Sequence, residues 1–177
     1  MKTKGFTLIE LLAVITIMGI LLLVAIPAVS RTIENSRKDT FVDVAQKYVD
    51  AVRNSVISGN LTCSVEGVDT DVAATPTATY YYKIDSKTEK DLLESGGKSP
   101  YGNQDVTGYV RWDKEVTDAK ESITYSIAIK DSGNHGITEI KEEDLKGKNK
   151  RKNVKGNLTA DAIADAPSAS KVYECKF

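Results

Sequence analysis

The sequence predicts an α+β fold in which one long N-terminal α-helix packs on a small antiparallel β-sheet head. Three observations carry this reading. Residues 11–30 hold no charged side chain. Apolar residues then recur at helical spacing at Phe41, Ala45, Tyr48, Val52 and Val56. Beyond residue 80, short alternating stretches such as Ile123, Tyr125, Ile127 and Ile129 are separated by links rich in Gly, Asn, Asp and Ser. Periods of 3.6 and 2 are the signatures of a one-sided helix and of half-buried strands.

The first element is set by length. A bilayer core needs about 20 mostly apolar residues at 1.5 Å rise each, and residues 11–30 supply them with Thr16 and Ser30 as the polar interruptions. Glu10 stands just inside this run. An acidic side chain placed toward hydrocarbon costs roughly 2.5–3.5 kcal/mol, so its presence asks for a cationic partner. Two plainer readings compete. One is a secretory signal peptide with Lys2 and Lys4 as its basic region and cleavage near Val29, although its apolar core would exceed the usual 7–15 residues, roughly. The other is a signal anchor in which Glu10 snorkels to the headgroups.

The string Met1-Lys2-Thr3-Lys4-Gly5, followed by Phe6-Thr7-Leu8-Ile9-Glu10-Leu11-Leu12, resembles the leader and N-terminus of type IV pilins. The resemblance covers the first third of the chain by motif and the remainder by layout. It implies a leader over residues 1–5, a membrane-spanning and filament-core helix half over 6–30, an amphipathic half over 31–58 and a globular head over 59–177. It implies cleavage between Gly5 and Phe6 by a prepilin peptidase, methylation of the Phe6 amine, and storage as a single-pass protein of the cytoplasmic membrane. Extraction by an assembly platform with its ATPase into a homopolymeric surface pilus would follow. A pseudopilin of a secretion or DNA-uptake system, or a membrane-anchored extracellular binding domain, would share this N-terminus. Basic residues on both sides of the apolar run, Lys2 and Lys4 before and Arg31, Arg37 and Lys38 after, leave the orientation to the resemblance.

Charge balance gives the junction a physical reason. Cutting after Gly5 removes both leader lysines and leaves one amine, on Phe6, beside a carboxylate in low dielectric. Subunit docking through Phe6 and Glu10 of adjacent chains is one way to pair them; Glu10 with the amine of its own chain is the other.

The helix should continue to about residue 58, because Gly59-Asn60 is a favoured terminator. From Phe6 that is roughly 80 Å of helix, more than one small domain requires. Pro27 removes a backbone hydrogen bond and Gly19 weakens the helix before it, so the stretch between them is expected to kink or unwind under load; simple tolerance is the alternative, since both are common in membrane helices.

In the head, a loop over 61–79, a strand over 80–84, a short helix over 87–94 capped by Ser86, a turn over 98–103 and strands over 109–112, 123–129 and 136–140 follow from the pattern. The strands should form an antiparallel meander. Cys63 and Cys175 lie near the start and end of the head; the resemblance implies a disulfide that staples the tail, with free thiols as the alternative. The acidic stretch Glu142-Glu143-Asp144 and the basic block over 146–152 read as a solvated loop. Nucleic-acid binding is disfavoured by a net charge of -1 and by few interleaved aromatics. Tyr80, Tyr81, Tyr82 and Trp112 read as core and sheet-face residues. With one histidine, His135, in a Gly/Asn turn and no nucleophile, metal-ligand or phosphate-loop pattern, neither catalysis nor a metal or other cofactor is expected.

Overall fold

The computed structural model describes residues 5–65, 68–70, 77–87, 92–93, 97–117, 120–164, 166–167 and 172–177. The chain divides into two compact units, Met1–Ser36 and Arg37–Phe177. One helix, α1, spans Leu8–Ile57.

In the first unit the large apolar side chains of residues 11–30 are exposed. Leu11, Ile15, Leu22 and Ile26 are all exposed. The α-helix runs through Gly19 and Pro27.

In the second unit the same helix is one-sided. Phe41, Val42, Val44, Ala45, Tyr48, Val49 and Val52 are buried, which matches the stripe expected from their spacing and extends it. The helix ends as the Gly-Asn pair predicts. Gly59 has φ +68°, its N–H donates to the carbonyl of Val56 at 3.3 Å, and the Asn60 N–H donates to that of Ser55 at 3.1 Å. These two bonds are a Schellman motif, which satisfies carbonyls that the last turn leaves open.

Eight strands follow: β1 (Thr62–Val65), β2 (Val68–Thr70), β3 (Thr77–Asp85), β4 (Val106–Thr117), β5 (Lys120–Asp131), β6 (Gly136–Lys141), β7 (Val154–Lys155) and β8 (Val172–Lys176). They form one sheet in the order β2-β1-β8-β3-β4-β5-β6-β7. The meander is present from β3 to β7, every pair antiparallel. Strands β4 and β5 are longer than expected, because cross-strand pairing carries polar residues of 113–117 and 120–124 beyond the alternating apolar segment. Strands β1 and β2 occupy part of the segment read as a loop. The short helix expected over 87–94 falls largely outside the described residues; Ser86 itself is in a turn, where its hydroxyl accepts from the Val106 N–H at 2.8 Å.

Position β8 was not legible. The C-terminal strand inserts between β1 and β3, antiparallel to the first and parallel to the second. It therefore carries the β1–β2 hairpin, which among the described residues has no other strand neighbour in the sheet. Cys63 and Cys175 face each other in the β1–β8 register and are joined by the disulfide, both buried.

The α1 stripe packs with one face of the sheet in a single core that includes Tyr80, Ile84, Val110, Trp112, Ile127 and Ile129. Each such side chain contributes about 1.5–3 kcal/mol on burial. Tyr80 is stacked between Trp112 and Tyr173, at centroid distances of 5.6 and 5.1 Å. The opposite face is partly covered: Leu158 and Ile163 pack on Tyr81, Tyr109 and Ala128. Gly108 permits the central pairing, since its φ is +151° and a Cβ there would lie 2.0 Å from the Ala128 carbonyl oxygen.

The bond closes a separation of 112 residues, about 5 kcal/mol of unfolded-chain entropy on the chain-entropy model. Reduction is expected to speed amide exchange in β1, β2 and β8 at least tenfold while leaving the buried turns of α1 around Val49 protected. Exchange measured by mass spectrometry with and without reductant checks this; equal loosening of the helix would contradict it.

Candidate functional site

The start of α1 is built from four residues. Thr7 precedes the first helical residue, and its carbonyl accepts the opening helical bond from the Leu11 N–H at 3.2 Å. Its hydroxyl accepts from the Glu10 N–H at 3.3 Å, and both its N–H and its hydroxyl donate to Glu10 Oε2 at 2.8 Å. This is a capping box, in which side chain and backbone satisfy each other reciprocally. The carboxylate also sits favourably at the positive end of the helix dipole.

The Phe6 nitrogen is an amide in this chain, and Glu10 finds its partner one residue closer, in Thr7. The Thr-x-x-Glu signature that announces this was present in Thr7-Leu8-Ile9-Glu10, and the sequence reading passed over it. Gly5 has open space where a Cβ would stand, and Phe6 is 88% exposed.

A second constellation lies within the head unit. Helix α2 (Glu142–Lys146) and a 3₁₀ turn (Lys150–Asn153) follow β6, where the charge pattern suggested a solvated loop. Instead, this segment grips α1. Arg151 makes two parallel bonds to Asp39, both 2.7 Å, and Lys150 lies 3.5 Å from Asp43. Asp39 and Asp43 are four residues apart and so project from one helix face. Gln46 Nε2 donates to the Leu145 carbonyl at 2.8 Å, Leu145 is fully buried, and Glu142 is shared between Arg53 and Lys146. Two cations of the basic block are thereby committed to helix carboxylates, which weakens the case for a nucleic-acid surface further.

The Arg151 hydrogen bond holds the Asp39 carboxyl below the usual carboxylate range, and Asp39 in turn raises Arg151. A depressed carboxyl supports the fold above its unfolded pKa, and that support is lost as pH falls through the folded value.

The remaining candidate residues have structural partners. His135, expected as an exposed turn residue, stacks flat on Tyr101 at 3.8 Å between centroids. Its Nδ1 is 3.4 Å from Oδ2 of the fully buried Asp131. Asp131 also accepts from the Ser99 hydroxyl at 2.6 Å and the His135 N–H at 2.8 Å, so the cluster pins the 131–135 turn to the 97–104 loop. On the outer sheet face Arg111 bridges Asp113 and Glu139. Burial and the bond it donates to Glu139 raise the Tyr109 hydroxyl. Among the described residues no group of three His, Cys, Asp or Glu side chains could hold a metal ion.

The family model of the prokaryotic N-terminal methylation motif matches residues 1–26, the segment that contains Gly5, Phe6 and Glu10. The chain thus carries the N-terminal methylation motif found in prokaryotic prepilins. It is 38% identical over 107 residues to a fimbrial protein of Pseudomonas aeruginosa, a match that covers 59% of this chain and 63% of that protein. No solved structure matches. The apolar residues of 11–30 are exposed among the described residues, and α1 is long and apolar enough to cross a membrane.

Replacing Arg151 by Ala should return the Asp39 carboxyl to the ordinary range and raise the midpoint of its titration, followed through its carboxyl carbon by NMR. An unchanged Asp39 midpoint would show that Arg151 does not hold it.

Proposed function

We propose that the chain is a structural subunit of a type IV pilus. It is held in the cytoplasmic membrane by residues 6–30, cut after Gly5 by a prepilin peptidase, methylated on the Phe6 amine, and polymerised through its N-terminal helices by an assembly platform and its ATPase. The observation that carries this reading is the methylation motif over residues 1–26, placed on a helix whose apolar half has no partner of its own.

The capping box supports a defined sequence of charge pairing. Before cleavage Glu10 is satisfied by Thr7. Cleavage creates an amine on Phe6, and packing the apolar halves into a filament core removes water from both charges. Pairing with the amine of an adjacent subunit then fixes the axial register, because a subunit docked out of place leaves two charges buried and unpaired, at roughly 3–5 kcal/mol. Gly19 and Pro27 lie in the half that packs. The helix between them has fewer restraints than an Ala-rich helix of equal length, and unwinding there under load would absorb extension.

Intact-mass measurement of protein from its native host should give a chain that begins at Phe6 and carries one methyl group. A product beginning at Met1 or near Val29 would overturn the reading. Glu10→Val should leave cleavage and membrane insertion intact while reducing surface fibres at least tenfold, counted by electron microscopy in a complemented strain. Normal fibre yield would return Glu10 to a capping residue alone. Short stubs in place of long fibres from the unaltered chain would indicate a pseudopilin, and isolated particles a membrane-anchored domain.

A further inference from the structure

The grip of the basic block on α1 accounts for two of its cations and leaves the others to be explained. From residue 145 to residue 160 the chain has no carboxylate. Lys150 and Arg151 face Asp43 and Asp39, and that commitment fixes where the rest of the segment stands. Lys152 follows Arg151 in the same 3₁₀ turn, Lys155 lies opposite Gly136 in the β6–β7 register, and both are exposed. This is the end of the head at which α1 enters. The unit begins at Arg37, whose guanidinium stands 5.8 Å from the centroid of the Tyr101 ring. Tyr101 stacks on His135, and Cδ2 of His135 lies 3.7 Å from where a Cβ on Gly156 would stand. Arg37 and the 150–156 segment therefore flank one surface, together with the 97–104 loop and the 131–135 turn. The exposed positions of that loop and turn are Lys98, Gly102, Asn103, Ser132 and Asn134, and none is a carboxylate. Asp39, Asp43 and Asp105 each face a cation, and Asp131 is buried. Among the described residues this surface is thus positive, although the whole chain carries -1. The opposite end, at the β4–β5 turn, sets Glu115 and Glu121 beside Lys114 and Lys120 and has no such excess.

We propose that this end of the head is a docking surface for the anionic headgroups of the membrane that holds the chain, with Arg37, Lys152 and Lys155 as its contacts. The inference rests on residues 6–30 being the membrane anchor. Residues 31–36 then tether Arg37 to the bilayer by at most about 25 Å of chain, even fully extended, so this end cannot leave the neighbourhood of the lipid surface. Guanidinium and ammonium groups donate to phosphate oxygens. Each cation near an anionic leaflet adds an attraction that decays within a Debye length, about 10 Å at 0.1 M salt. A duplex polyanion fits less well, because Lys150 and Arg151 are turned to the helix and the remaining cations lie beside the tether. Docking holds the head against the bilayer, and salt releases it.

The test uses the full, uncut chain in vesicles of phosphatidylcholine alone and of phosphatidylcholine with phosphatidylglycerol, both carrying a headgroup nitroxide. Cys63 and Cys175 are bonded to each other, so Ser132→Cys supplies a single reactive thiol for a fluorophore, and Ser122→Cys near the β4–β5 turn is the control. Circular dichroism checks that each labelled chain folds. Phosphatidylglycerol is expected to raise quenching of the Ser132 probe at least threefold, with no rise at Ser122. High salt, or Lys152→Gln combined with Lys155→Gln, should each remove most of the gain. Equal quenching in both kinds of vesicle, or a gain that survives salt and the double substitution, overturns the proposal. Flotation with the vesicles tests the anchor separately: a chain that floats without the gain overturns this inference alone, and one that does not float overturns the anchor reading as well. Retention on duplex DNA, lost in the double variant and without any gain from phosphatidylglycerol, would assign the surface to nucleic acid and overturn it too.

Discussion

Burial of one stripe of α1 against the sheet is the interaction on which the head depends. Strands β3 to β6 present Tyr80, Ile84, Val110, Trp112, Ile127 and Ile129 on one face, and a single sheet with an uncovered apolar face is not stable in water. The helix supplies the cover. Its stripe is dense, with Phe41, Ala45, Tyr48, Val49 and Val52 all fully buried. It is also bounded: before residue 37 the helix is outside this unit, and after Ile57 the Schellman motif turns the chain into β1. Residues 11–30, by contrast, are apolar on nearly every side, the pattern of a helix whose surroundings are apolar.

Electrostatics acts at the two places where that helix needs to be specified and not merely attracted. At its N-terminus the reciprocal bonds between Thr7 and Glu10 satisfy amide groups that no preceding turn can reach. Along the head unit, Asp39 and Asp43 receive Arg151 and Lys150. Exposed ion pairs of this kind add little stability. Their geometry matters more than their energy: a bidentate guanidinium-carboxylate pair defines both distance and angle, and with Leu145 buried beside it the 142–153 segment has one position against the helix. The disulfide plays the equivalent role at the other side of the sheet, where the β1–β2 hairpin pairs with β8.

The linear sequence by itself determined the features that rest on local chemistry: an apolar run of bilayer length, a stripe of period 3.6, the Gly59-Asn60 stop, the alternating segments of the meander and the N-terminal methylation motif with its spaced carboxylate. Each is decided by residues within a few positions of one another, so each leaves a readable period or motif. The capping box was equally local and equally legible at Thr7 and Glu10. The tertiary structure alone decided the rest. Strands β1, β2 and β8 are short and lack strong alternation; their extended form comes from partners, and no local signal says that a C-terminal strand enters beside a strand more than 90 positions earlier. The commitment of Arg151 to Asp39, 112 residues away, is invisible in a charge run that reads as solvated. The stacking of His135 on Tyr101 depends on two loops meeting. Those contacts are set by the packing of the helix stripe on the sheet, a non-local constraint, and no pattern within either segment records it.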